Sequence, residues 1–117
     1  MRGINNYMKN QDPKELSRTK LRYLFRRVLK KIEEKPVGYF SFKKMKGLCG
    51  VCEWEEGIKI DPRREIIPTI IHEVLHDMYP ENWEGWTLRV ESKIMGVLKS
   101  KDYITLIILF CRKVEID

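Results

Sequence analysis

The chain of 117 residues holds only two histidines, and they stand four positions apart in the run Ile71-His72-Glu73-Val74-Leu75-His76. On a helix that spacing is about 6 Å along the axis, and both rings leave the same face. Two imidazole nitrogens so placed can converge on one ion at roughly 2.0–2.1 Å each, the reach of zinc ligation. Glu73, one position after the first histidine, falls beside the ion without ligating it. The chemistry that needs such an arrangement is metal-assisted hydrolysis. With water acidified at the ion, Glu73 takes its proton and can return it to a leaving amine.

The plain alternative is a helix that buries two histidines against backbone or carboxylate partners. Chance would bring both histidines of a chain into this motif, with Glu after the first, on the order of a few times in a thousand. An otherwise apolar helix also has little reason to carry three ionisable groups unless something compensates them. Metal binding is the expectation.

A catalytic zinc normally has three protein ligands and an open position, and no third histidine exists. A metzincin-like continuation fails, because Asn82 stands where its histidine belongs and Tyr79 where its glycine belongs. An acid is therefore expected. Glu91 is preferred, since it lies on the flank of the next helical stripe beside Leu88 and Ile94; its ordinary alternative is an exposed glutamate paired with Arg89 or Lys93. Glu84 is the second choice. Asp77 is expected to orient a histidine, and Tyr79 and Tyr103 are lesser candidates for stabilising developing charge. Cys49-Gly50-Val51-Cys52 offers a rival site, but a structural zinc needs four ligands and the chain adds only Cys111. On a strand, positions 49 and 52 face opposite ways. Buried structural cysteines are the simpler expectation.

The surrounding elements must hold these groups. Asp12-Pro13-Lys14-Glu15 reads as a helix start with a capping box, and Leu21, Leu24, Phe25, Val28 and Ile32 make the apolar stripe of a helix over 13–34. Arg22, Arg26 and Lys30 fall on its basic outer face. Strands are expected at Val37–Phe42, Leu48–Trp54 and Gly57–Ile60, in a small antiparallel sheet. The histidine helix should span 66–79, with Pro68 in its first turn, and a further helix 83–99. Tyr103–Val114 fits helix or strand almost equally, with helix preferred. The fold class is α+β in a single domain over 1–117.

Charge is divided along the chain: residues 1–46 carry fourteen Lys or Arg against four Asp or Glu, and the remainder carries nine against thirteen. The basic half can dock on the acidic half or remain a solvated face, and nucleic-acid binding is the less favoured reading. Met1–Asn10 has no apolar h-region and no apolar run approaches the roughly 20 residues a membrane span requires. A cytoplasmic protein is expected, and three cysteines, which cannot all pair with one another, suit a reducing compartment. The absence of alanine beside many Ile, Lys and Glu fits a thermophilic source or an AT-rich genome.

Together, Gly57-Ile58-Lys59-Ile60-Asp61-Pro62, the His72–His76 motif and the following helix with Glu91 resemble the gluzincin metallopeptidases. In size the chain looks most like the minigluzincins, minimal scaffolds of thermophilic prokaryotes that are similar to the catalytic domains of membrane metallopeptidases. The likeness covers roughly residues 15–100, and only the His-Glu-x-x-His core is highly specific. The resemblance implies a zinc metalloendopeptidase with His72, His76 and Glu91 as metal ligands and Glu73 as catalytic base and acid. It also implies an edge strand, from the Val51–Ile60 hairpin, that pairs with an extended peptide substrate. The spacing departs from that of larger members, with fourteen residues between His76 and Glu91. Latency is implied too: residues 101–117, ending in Glu115 and Asp117, would cover the cleft as in a zymogen or exchange into a second copy as a homo-oligomer. The rival reading is a non-catalytic zinc-binding module that contacts nucleic acid through its basic N-terminal helix.

Overall fold

The computed structural model describes residues 12–114, and within them four α-helices and a three-stranded sheet form an α+β fold. Asp12 caps only a single 3-10 turn, Pro13–Glu15, by accepting from the Lys14 N–H. Leu16 is extended, so that turn does not run on, and Ser17 starts the helix afresh by accepting from the Lys20 N–H at 3.2 Å. Helix α1 accordingly spans Arg18–Glu34 rather than beginning at 13. The stripe Leu21, Leu24, Phe25, Val28 and Ile32 is buried as its spacing requires. Arg22, by contrast, is not a free surface charge. Its guanidinium donates to the Val97 carbonyl at 2.9 Å and pairs with Asp102.

The strands are β1 (Phe40–Phe42), β2 (Gly50–Glu53) and β3 (Gly57–Ile60), in the order β1-β3-β2. Strands β2 and β3 form the expected antiparallel hairpin, with Val51 opposite Lys59 and Cys52 opposite Ile58. Strand β1 runs parallel to β3, pairing Phe40 with Ile58, so the sheet is mixed where an antiparallel one was expected. The reason lies in the connection: residues 43–49 do not form a tight hairpin but cross the end of β3 to reach β2. Asp61 fastens that crossing. Its buried carboxylate accepts from the Met45 N–H at 3.0 Å and is clamped by Arg63, which holds its pKa well below the usual carboxylate range. Among the described residues strand β2 is an edge of the sheet.

Helix α2 (Ile66–Met78) occupies the middle of the molecule, against α1, the sheet, and the next helix α3 (Glu84–Val97). Ile70, Ile71, Val74, Leu75 and Met78 are essentially fully buried in it, and so are the polar Glu73 and Asp77. Residues that read as helix or strand near the C-terminus form helix α4 (Ser100–Lys113). Asp102 caps it by accepting from the Lys99 N–H at 2.8 Å, a start that settles the choice for helix. Leu106 and Phe110 bury its inner face; Phe110 meets Phe40 at 5.3 Å between ring centroids, and Val114 bridges to Phe40. The described part of the C-terminal segment therefore lies along α1 and the β1 edge, on the other side of the sheet from β2. Glu115 and Asp117 fall outside the described residues. Among the described residues no helix is long and apolar enough to cross a membrane.

The docking of α4 has a direct test. Leu106 is wholly buried and Ile104 is 60% exposed. Leu106→Ala should lower the unfolding free energy by about 2–5 kcal/mol and Ile104→Ala by less than about 0.5, read by urea denaturation. Equal effects would contradict the packing.

Candidate metal centre

The residues from 79 to 83 that join α2 to α3 are few, and they lay the first turn of α3 over the last turn of α2. This brings Glu84 to the histidines. Glu84 Oε1 lies 2.6 Å from His76 Nε2 and 3.2 Å from His72 Nε2, and the two Nε2 atoms are 3.1 Å apart. Three ligands at zinc-like distances on a tetrahedron would stand about 3.3 Å from one another. The observed triangle needs only slight opening to admit an ion, and its donors, two imidazole nitrogens and a carboxylate oxygen, suit one. His72, His76 and Glu84 are thus a group that could hold a metal ion.

Glu91 takes a different place from the one expected. Its Oε1 is 2.9 Å from His72 Nδ1, the nitrogen that faces away from the converging pair. Glu91 lies seven positions beyond Glu84, about 10 Å further along α3, so both cannot meet the same corner of the site. In this geometry Glu84 is the acid that stands with the two Nε2 atoms, and Glu91 holds the Nδ1 side of the His72 ring. The cue in the sequence was the short, Pro80-containing connection, which limits how far α3 can start from His76.

Glu73 is buried beside the cleft, and its pKa is pushed up to about 7. Burial is the main cause; His72 opposes the rise, while Glu84 and Glu91 add to it. Burial likewise works against a charged His72, but the Glu91 hydrogen bond and the carboxylates of Glu73 and Glu84 outweigh it and raise its pKa. The shift of His72 reports the carboxylates around it, whereas that of Glu73 reports chiefly its burial.

An open cleft of about 380 Å³ runs over these groups, walled by β2 and its flanks from Leu48 to Trp54 on one side and by His72, Glu73, His76, Pro80 and Glu84 on the other. A glycine makes it possible. A Cβ on Gly50 would stand 2.7 Å from Thr69 Cγ2 and 3.1 Å from Glu73 Cγ, so only glycine lets β2 lie this close to α2. At Gly85 a Cβ would strike the Trp83 ring, which folds over that position next to Glu84.

Asp77 does not orient a histidine. It accepts from the Tyr39 hydroxyl at 2.6 Å, pairs with Lys35 at 3.0 Å and meets the Cys52 thiol at 3.7 Å, while its carbonyl accepts from the Trp54 indole at 3.1 Å. These bonds fasten α2 to α1, the start of β1 and the β2–β3 hairpin. Tyr79 is buried against Trp86, and burial pushes its pKa up to about 12. Tyr103 lies on α4; neither tyrosine lines the cleft. The cysteines are free, and contrary to the buried role expected of them, Cys49 and Cys111 are exposed and Cys52 is only half-buried. No family model matches the chain, and no curated protein or solved structure is significantly similar to it.

Two outcomes follow from these contacts. Burial, then the charges of Asp77 and Glu73, push the Cys52 thiol up to about 12; iodoacetamide at pH 8 should therefore label Cys49 and Cys111 well before Cys52, as peptide mass mapping would show. Metal titration should separate the two acids: Glu84→Gln should weaken divalent-metal binding by more than about a hundredfold, and Glu91→Gln by roughly 10–100-fold. The reverse order would return the ligand role to Glu91.

Proposed function

We propose that the protein is a zinc-dependent peptidase of minimal gluzincin-like design, with His72, His76 and Glu84 holding the metal, Glu73 as general base and acid, and Glu91 orienting His72. The observation that carries this reading is the conjunction of a three-donor cluster with a buried carboxyl whose pKa is pushed up to about 7, all on the floor of one open cleft. Zinc bound there would supply Lewis acidity toward the scissile carbonyl and toward water. Glu73, buried beside the three donors, would accept a proton from that water and donate it to the departing amine. Glu91 keeps the His72 ring turned so that Nε2 faces His76. Strand β2, an edge among the described residues and a wall of the cleft, offers main-chain groups to an extended peptide, a mode that tolerates varied side chains.

The nucleic-acid reading has less support. Arg22 and Lys35, two of the cations of the basic helix and its C-cap, are engaged within the molecule, which thins the face that a phosphate backbone would need. Latency remains a proposal too, and any cover over the cleft would have to come from elsewhere than the described turns of α4.

Glu73→Gln separates catalysis from binding. That variant should retain zinc by elemental analysis and lose peptide cleavage by at least about a hundredfold, the range of general acid–base contributions. Retained cleavage would rule out the assigned mechanism.

A further inference from the structure

The ends of β2 carry opposite charge. Its N-terminal end follows the crossing loop, in which Lys43, Lys44 and Lys46 are all exposed, and next to that loop come Arg63 and Arg64 after β3. The buried Asp61 is paired with Arg63 and cancels it, so Lys43, Lys44, Lys46 and Arg64 stand against Glu65, the exposed acid of this end. Beyond the C-terminal end of β2 lies the turn with Glu53, Glu55 and Glu56, all exposed, against which Lys59 neutralises Glu53 at 3.2 Å. Between the two ends the cleft wall is largely apolar, from Leu48, Val51 and Trp54.

A four-residue strand spans about 13 Å, longer than the roughly 8 Å over which charge is screened at physiological salt. The basic loop and the acidic turn therefore act as separate fields, while an extended peptide of six or seven residues reaches both. Edge pairing is somewhat more stable when antiparallel. A peptide so paired directs its N-terminal half toward the Glu53–Glu56 turn and its C-terminal half toward the Lys43–Lys46 loop.

We infer that the cleft selects extended peptides by charge polarity, taking those with cationic residues before an apolar centre and acidic residues after it. The inference rests on the reading of the cleft as a peptide site and adds to it the class and direction of the substrate; it does not depend on turnover. The charges involved are exposed, so each is worth little alone and the effect is a sum that salt removes.

The test uses two blocked, dye-labelled peptides of identical composition around the same neutral centre, one with two lysines before and two glutamates after it, the other reversed. Their binding to the zinc-loaded full chain, as wild type and as Glu73→Gln, is followed by fluorescence anisotropy. At low ionic strength the lysine-first peptide should bind about tenfold more tightly, and the difference should vanish near about 0.5 M salt. The triple variant Lys43→Glu, Lys44→Glu, Lys46→Glu should lose or invert the preference. Equal affinities, the opposite order, or no measurable binding of either peptide would overturn the inference. Cleavage of the neutral centre peptide by the wild type reports separately on the peptidase reading.

Discussion

The structure is organised by a conflict within α2. This helix is buried by α1, α3 and the sheet, yet it carries His72, Glu73, His76 and Asp77 in little more than one turn. Each of these groups loses solvation on folding, at a cost of several kcal/mol when nothing replaces the water. The neighbouring elements are arranged around that need. Helix α3 brings Glu84 and Glu91 to the histidines, α1 and β1 bring Lys35 and Tyr39 to Asp77, and β2 approaches Glu73 closely because Gly50 has no side chain. The apolar core supplies the general drive to collapse, but the polar side chains of one helix decide which partners lie where.

Much of this was legible beforehand, for a physical reason. The α2 and α3 boundaries follow from Pro68, Pro80 and a helical period of burial, and the i, i+4 histidine pair fixes its own geometry once the helix is granted. What could not be read were relations between elements. Alternation identifies Ile58-Lys59-Ile60 as a strand but carries no direction, and the parallel pairing of β1 with β3 depends on a loop pinned by Asp61. The placement of Glu84 and Glu91 has the same origin: both lie on the expected helix, and its starting point relative to His76 brings Glu84 to the Nε2 atoms and Glu91 to Nδ1 of His72. The capping box at Asp12 failed differently. Its local signal was real but only sufficient for a 3-10 turn, because Leu16 is extended and buried.

The Cys-Gly-Val-Cys run illustrates how a motif can be informative through the wrong residue. Its cysteines diverge, one exposed and one beside Asp77, and neither joins the histidine cluster. The glycine between them is the constrained member, since it permits the strand to pack on Thr69 and Glu73. A spacing rule applied to the cysteines alone points to redox or zinc chemistry, whereas close approach of backbone to helix points to the cleft wall.

The charges around the histidine cluster are of the kind a bound cation would balance. Glu73, Glu84 and Glu91 surround two imidazoles, and both Glu73 and His72 have raised pKa values. If the histidines simply neutralised the acids, the carboxyl of Glu73 would be drawn down, yet burial and its fellow carboxylates prevail over His72 and hold it up. Additional positive charge at the Nε2 corner is therefore favourable, and a divalent ion supplies it where the ligand atoms already converge. Such an ion would compete with protons for the histidines, so the same excess of carboxylate that raises the pKa of His72 also strengthens the metal's hold once it binds. Binding of this kind would stabilise the folded chain by mass action, adding a link from α2 to α3 through Glu84 beside the apolar contact of Tyr79 with Trp86.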